Sequence, residues 1–197
     1  GTTFARSKEH DYTLMFWFKT EYRNSTFMSN GAATNRDIDG QFNIGCRGNN
    51  LYFRSSGYEV TANNVLTGFS AWHHYAMTVS RSRNVANIYL DCKLVASVAA
   101  DSLSGISNGE ICLGATYIDK NTEADMLYGN IDEVAMFESV LPLNLIETYA
   151  YNTPSGREAA LIAYLPFEVS KRDYDNQMML VPTGERLKRY FDNPGNE

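Results

Sequence analysis

Cysteine, histidine and long apolar runs are all scarce in this sequence. Its three cysteines, Cys46, Cys92 and Cys112, form no Cys-x-x-Cys pair, which excludes a disulfide framework and a cysteine zinc site. Three separate thiols, or one disulfide with one free thiol, remain open. The 3 histidines come without a Gly-x-Ser-x-Gly motif, so no nucleophilic triad is indicated. No apolar run approaches the roughly 18 residues of a membrane-spanning helix, which predicts no membrane insertion.

Positive charge is also in short supply. Lys and Arg number 17 against 23 Asp and Glu, which gives a formal net charge of -6. The sequence therefore lacks the basic stripe expected of a nucleic-acid-binding protein and the basic cluster that adsorbs to an anionic membrane. The chain starts at Gly1 without an initiator methionine, which fits either a removed signal peptide or an excised segment. We expect a domain from a larger secreted or surface protein.

Aromatic residues are abundant, with 13 tyrosines, and short segments alternate between apolar and polar residues. This period-two pattern, with turn residues between the segments, predicts antiparallel strands rather than βαβ units. The strands are expected at residues 12–19, 41–44, 50–54, 73–80, 84–90, 94–98, 110–114, 129–137 and 160–167. One short helix is expected at residues 142–149, because Pro142 suits a first helical turn. We predict an all-β, two-sheet antiparallel β-sandwich of the jelly-roll type with one short helix.

The whole chain is expected to form a single domain. No fixed-period repeat and no low-complexity tract marks a second one. Residues 1–167 are predicted to form the sandwich. Residues 168–197 are predicted to form a C-terminal segment of the same domain, with an edge strand at 178–181 followed by a tail or linker.

Four segments, in this order, resemble the laminin-G-like domains of the concanavalin A-like lectin/glucanase superfamily. They are DYTLMFWFK (11–19), WHHYAMTV (72–79) running into IYLDCKLV (88–95), ICLG (111–114) and GNIDEV (129–134). The resemblance implies a jelly roll with Trp17 and Trp72 at core positions. The segment LIAYLPFE (161–168) is similar to such domains in multidomain surface proteins of Bacteroides-like bacteria. Cys92 departs from the pattern, because the family usually has glycine in that hairpin. We therefore expect a different turn geometry there.

Two pairs of carboxylates are catalytic candidates by residue type. Asp132 and Glu133 are adjacent, and adjacent strand residues point to opposite faces, so they are predicted not to share a cleft. Glu123 and Asp125 have alternate spacing but lie in a polar stretch without a strand pattern. The acid pattern of the related glycoside hydrolases is absent, and we predict a protein that is not an enzyme. A degenerate glycoside hydrolase is the least favoured alternative.

Calcium is the one cofactor that the resemblance suggests, and none is required. Laminin-G-like domains often bind Ca²⁺ through loop carboxylates and carbonyl oxygens at the rim. Asp37 and Asp39 lie just before Gly40, and Asp119 and Asp125 bracket a second oxygen-rich stretch. Simple surface loops alone explain both stretches and are the favoured interpretation, with calcium binding as the alternative.

Ligand contacts are expected from aromatic side chains in loops, because such rings stack on sugars or anchor peptides. The candidates at or near predicted loops are Tyr22, Tyr58, Phe69, Tyr117, Asn121 and Tyr128. We predict a non-catalytic binding module, secreted, periplasmic or at the cell surface, whose partners are carbohydrate or extracellular protein and the other domains of its polypeptide. The alternative is a structural or adhesion spacer without a small ligand.

Overall fold

Thirteen strands and one α-helix make up the computed structural model, which describes residues 6–30, 40–106, 111–119, 122–124 and 126–167. The strands are β1 (Tyr12–Thr20), β2 (Asn24–Ser29), β3 (Phe42–Arg47), β4 (Asn50–Ser55), β5 (Tyr58–Ala62), β6 (Trp72–Ser80), β7 (Val85–Leu90), β8 (Lys93–Val98), β9 (Cys112–Leu113), β10 (Thr116–Asp119), β11 (Thr122–Ala124), β12 (Gly129–Phe137) and β13 (Leu161–Leu165). The helix α1 spans Leu143–Tyr151, and a 3₁₀ turn spans Ala100–Ser102.

The strands form two antiparallel sheets and a separate hairpin. One sheet has six strands in the order β13-β12-β1-β6-β7-β8, and the other has five in the order β5-β4-β3-β2-β9. Strands β10 and β11 pair with each other. The predicted two-sheet sandwich with one short helix is confirmed, including the β3–β4 hairpin and the meander from β6 to β8.

Some strands do not follow from the alternation of the sequence. Strand β2 reads Asn-Ser-Thr-Phe-Met-Ser and carries a bulge between Thr26 and Met28, so it has no clean period of two. The short strands β5, β10 and β11 were also absent from the prediction. The strand expected at 110–114 is reduced to Cys112–Leu113, and the one expected at 160–167 is reduced to Leu161–Leu165. The predicted edge strand at 178–181 lies outside the described residues.

Stacked aromatic rings from both sheets fill the space between them. The ring centroids of Phe18 in β1 and Phe27 in β2 are 4.1 Å apart, which joins the sheets. Phe16 stacks on Tyr75 at 4.9 Å within the six-stranded sheet. Each of these side chains is at most 1% exposed, and aromatic residues of this size supply much of the apolar area that a core buries.

Helix α1 packs on the outer face of the six-stranded sheet. The indole Nε1 of Trp17 donates a hydrogen bond to the Ala150 carbonyl at 3.0 Å, and Ile146 is fully buried against the sheet. Phe137 stacks on Tyr149 at 5.3 Å. The helix thus occupies one outer face and leaves the outer face of the five-stranded sheet uncovered by it. No helix in the described residues is long and apolar enough to cross a membrane.

The hairpin turn at Cys92 corrects one expectation. Asp91 and Cys92 have φ values of 50° and 61°, so both adopt the left-handed conformation of a two-residue hairpin turn. The turn keeps the geometry that suits glycine, although Cys92 is a residue that pays a steric penalty there. Cys46, Cys92 and Cys112 are all free thiols, so no disulfide forms among them.

Candidate functional site

Three of the predicted aromatic residues meet at one end of the sandwich. Tyr22 lies in the turn between β1 and β2, Phe69 in the loop between β5 and β6, and Tyr128 just before β12. Main-chain hydrogen bonds join these segments, from Glu21 N to Tyr128 O at 2.9 Å and from Ser70 N to Thr20 O at 2.8 Å. We call Tyr22, Arg23, Phe69 and Tyr128 the aromatic rim.

Tyr22 and Tyr128 form an exposed pair of rings on this rim. Their centroids are 4.5 Å apart with an angle of 40° between the planes. The two residues are 55% and 52% exposed. Each ring therefore supports the other while keeping surface available, which is the arrangement of an aromatic contact platform.

Arg23 fixes the second half of the rim. Its guanidinium carbon lies 4.9 Å from the centroid of the Phe69 ring, within the range of a cation–π contact. The same side chain donates from Nη1 to Asn49 Oδ1 at 3.1 Å, in the turn between β3 and β4. The rim is thus tied to both sheets.

A glycine is required for Tyr128 to reach this position. A Cβ atom at Gly129 would lie 1.9 Å from the carbonyl oxygen of Lys19, a distance that no side chain can occupy. Gly129 pairs with Thr20 at the end of β1. The close approach of the two strands brings Tyr128 next to the turn that carries Tyr22.

The outer face of the five-stranded sheet is polar and begins beside the rim. Phe42, Ile44 and Cys46 belong to the core, so the alternating residues of β3 point outward. We call this surface the polar face; its members are Asn43, Gly45, Arg47, Tyr52, Arg54 and Glu59. Tyr52 opposes Gly45 across β3 and β4 and donates a hydrogen bond to Asn43 Oδ1 at 2.9 Å.

Gly45 makes room for the Tyr52 ring. A Cβ atom at this position would lie 2.6 Å from Tyr52 Oη and 2.3 Å from the carbonyl oxygen of Ser25. The aromatic ring packs over the glycine of the neighbouring strand, a pairing known to compensate for glycine in a sheet. It leaves Tyr52 only 3% exposed, held beneath the charged side chains of the polar face.

Two arginines and one glutamate cover Tyr52. The guanidinium carbons of Arg47 and Arg54 lie 4.2 and 5.7 Å from the centroid of its ring. Both arginines bind Glu59, with N–O distances of 2.8 and 3.0 Å in the two ion pairs. Burial alone would raise the pKa of Glu59, but hydrogen bonds and charge from the two arginines lower it. Glu59 is therefore ionised at neutral pH.

A small depression opens where the polar face meets the rim. It has a volume of about 250 Å³ and is lined by Asn24, Ser25, Cys46, Arg47 and Tyr52. Asn24 is two residues from Tyr22, and the Cys46 thiol lies 3.8 Å from the Tyr22 carbonyl oxygen. The depression therefore adjoins the turn that carries Tyr22. The sequence prediction did not include the depression, because its residues lie in strands.

The remaining predicted contact residues are not part of this surface. Tyr58 begins β5 beside the turn at residues 56–57, whereas the rim binds the opposite end of β4 through Asn49. Tyr58 therefore lies at the other end of the sandwich, where it is 40% exposed. For Tyr117 the structure describes the backbone only, which lies in β10. Asn121 lies outside the described residues.

The calcium expectation falls largely on residues that the structure does not describe. Asp37, Asp39 and Asp125 lie outside the described residues, and Asp119 is described only as the last residue of β10. Within residues 6–30, 40–106, 111–119, 122–124 and 126–167, no group of three or more His, Cys, Asp or Glu side chains is placed to hold a metal ion. Calcium binding stays a prediction.

The positions of Asp132 and Glu133 correct the prediction that these adjacent carboxylates point to opposite faces of the strand. Residues Met15 and Trp17 pair with Ala135 and Asp132, so β12 carries a bulge at Glu133, whose φ is 53°. Asp132 lies opposite Trp17 on the side of the helix. Glu133 accepts a hydrogen bond from Tyr164, which packs in the same cluster. The bulge therefore places both carboxylates on one face, where they are 0% and 6% exposed under α1.

The adjacent histidines His73 and His74 both make structural contacts. His73 bridges Asp91 Oδ2 at 2.8 Å and the Gly68 carbonyl at 2.9 Å, next to Phe69 of the rim. Burial alone would lower the pKa of His73, but its hydrogen bonds to Asp91 and Gly68 raise it. His74 lies on the other face and is 1% exposed.

A family model described as the concanavalin A-like lectin/glucanases superfamily matches residues 2–146. The chain belongs to this superfamily. The resemblance drawn from four sequence segments is confirmed, and so is the lectin-type sandwich that it implies. Among curated protein sequences, none matches the chain.

Several solved structures share the fold of this chain at low sequence identity. A carbohydrate binding protein from Bacteroides ovatus is 17% identical with a TM-score of 0.63, and the match covers 80% of this chain and 45% of that one. The chain thus spans less than half the length of that protein. The CBM40 domain of the Ruminococcus gnavus IT-sialidase, solved with α2,3-sialyllactose, is 14% identical with a TM-score of 0.59, and the match covers 75% and 92%.

A third similar structure is the heptameric SAP-like pentraxin of Limulus polyphemus. It is 13% identical with a TM-score of 0.59, and the match covers 83% of this chain and 79% of that one. At such identities the likeness concerns the fold alone. A function for this chain therefore has to be argued from its own surface residues.

Proposed function

We propose that this lectin-like sandwich is a non-catalytic carbohydrate-binding module of a multidomain secreted or cell-surface protein, with the sugar held at the aromatic rim. The observation that carries the proposal is the Tyr22–Tyr128 pair, whose rings meet at 4.5 Å while both stay about half exposed. Rings fixed in this way stack on the apolar faces of sugars at little cost in side-chain entropy.

The surroundings of the rim supply the polar contacts that a sugar needs. Arg23, held between Phe69 and Asn49, and Asn24 in the adjoining depression carry hydrogen-bond donors for hydroxyl groups. A site with three aromatic rings and a small number of polar side chains at its edge matches the usual composition of a ligand site. The carbohydrate-binding proteins with the same fold support the proposal.

A glycan array probed with the folded chain tests this function. Tyr22→Ala and Tyr128→Ala should each weaken binding to the best glycan about tenfold, because each removes one stacked ring. Tyr58→Ala is the matched control, since it removes an exposed tyrosine at the opposite end of the sandwich, and it should leave binding unchanged. Circular dichroism confirms that every variant is folded.

The alternative role gives a different result in the same experiment. A folded chain that binds no glycan would support a structural or adhesion spacer and overturn the proposal. A thermal shift with Ca²⁺ and with EDTA tests the calcium prediction for Asp37, Asp39, Asp119 and Asp125, because an ion that binds only the folded chain raises its melting temperature.

A further inference from the structure

The polar face carries an excess of positive charge beside the aromatic rim. Arg47 and Arg54 share one carboxylate, Glu59, so these three groups hold one net positive charge, while the whole chain carries a net charge of -6. The other described members of the face, Asn43, Gly45 and Tyr52, are uncharged. A local charge opposite in sign to that of the whole protein indicates a preference for an anionic group.

Arg47 is held in position and still accessible. Its guanidinium carbon lies 4.2 Å from the Tyr52 ring centroid, and its Nη1 atom donates to both Glu59 oxygens, at 2.8 and 3.0 Å. The side chain is 47% exposed. Within the described part of the chain, every side-chain hydrogen bond of Arg47 is made by Nη1. The Nε and Nη2 atoms therefore remain available as donors. A guanidinium fixed in this way binds a carboxylate or sulfate with little loss of entropy.

The depression beside Arg47 is large enough to admit one substituent of a sugar. Its volume of about 250 Å³ is below the roughly 300–1,000 Å³ of pockets that enclose whole small ligands. The Asn24 amide lines the same depression and is two residues from Tyr22. A ring stacked on the rim can therefore direct one substituent into the depression.

We infer that the depression at Asn24, Arg47 and Tyr52 binds an anionic substituent, a carboxylate or a sulfate ester, of the glycan that stacks on the aromatic rim. This inference rests on the proposed carbohydrate-binding function and narrows its ligands to acidic glycans. Arg47 is the residue that determines the preference, through charge-assisted hydrogen bonds to the anion.

Two matched sets of probes test the inference by isothermal titration calorimetry. Lactose is compared with 3′-sulfolactose, which adds only a sulfate, and with 3′-sialyllactose, which adds a sialic acid residue with its carboxylate. Trigalacturonic acid is compared with its methyl ester. In at least one set the acidic sugar should bind ten or more times tighter than its neutral counterpart. The sialylated and sulfated probes show which anion is preferred.

The Arg47→Gln variant should lose this preference and keep the weaker binding of neutral sugar. Arg83→Gln is the matched control, since it removes an equal charge from the exposed turn between β6 and β7, at the other end of the sandwich, and it should retain the preference. In the unmutated chain the preference should also fall between 50 and 500 mM NaCl, as screening requires. That measurement holds even if Arg47→Gln fails to fold.

Two outcomes overturn the inference and are distinguishable. If neutral and acidic probes bind equally, or if Arg47→Gln keeps the preference, the anionic subsite is wrong while carbohydrate binding stands. If the folded chain binds none of the probes and no glycan on the array, both proposals fail.

Discussion

His74 lies directly opposite Trp17 across β6 and β1, with ring centroids 5.2 Å apart and an angle of 61° between the planes. The edge-to-face pair lies beneath the helix, because the Trp17 indole donates a hydrogen bond to the Ala150 carbonyl oxygen. Among described residues, His74 Nδ1 has no hydrogen-bond partner. Burial lowers the pKa of His74 to about 4, although the charge of Asp91 opposes the shift.

The buried histidine makes the fold less stable in acid. Between pH 6.5 and about 4 the unfolded chain binds a proton that the folded chain excludes, so stability falls as the pH drops. The folded and unfolded pKa values of His74 imply that the free energy of unfolding falls by up to about 3 kcal/mol. Urea unfolding at pH 7.5 and pH 5 should show a smaller acid loss for His74→Gln than for the unmutated chain. Equal losses would show that His74 titrates normally.

His73 acts in the opposite direction. Since its pKa is raised in the folded state, its stabilisation is complete below pH 6.5 and is lost as the pH rises through the folded value. A protonated ring donates to both Asp91 and the Gly68 carbonyl, while a neutral ring donates from one nitrogen only. His73→Gln should therefore cost more stability at pH 6 than at pH 8.5, measured by urea unfolding. A cost that does not vary with pH would contradict this role.

Gly129 offers a test of the close approach of β12 to β1 that positions Tyr128. Gly129→Ala places a methyl group 1.9 Å from the Lys19 carbonyl and should cost more than about 2 kcal/mol, because backbone must move. In the matched control Gly68→Ala, the added atom would meet its nearest neighbour at 3.5 Å. That variant should stay within about 0.5 kcal/mol of the unmutated chain. Equal losses of stability in the two variants would show that the close approach of β12 to β1 does not require glycine at residue 129.

The sequence predicted the architecture better than the site. Period-two alternation identifies β1, β6 and β12, because each has one face in the core, and it fails for β2, where a bulge interrupts the alternation. Composition singled out Tyr22, Phe69 and Tyr128, but their convergence depends on long-range pairing that no local pattern contains. A second bulge reverses the parity expected for Glu133. The cluster of Arg47, Arg54 and Glu59 spans three strands and has no linear signature.

Helix α1 and the proposed binding surface are on different parts of the fold and should respond separately to mutation. Ile146 is fully buried against the sheet, whereas Leu143, on the same helix, is 42% exposed. Ile146→Ala should cost about 2–4 kcal/mol through the cavity that it leaves, and Leu143→Ala well under 1 kcal/mol. Hydrogen exchange of residues 143–151 should accelerate only in Ile146→Ala. Sugar affinity should be unchanged in both variants while they remain folded, and a parallel loss of affinity would place the binding site at the helix instead.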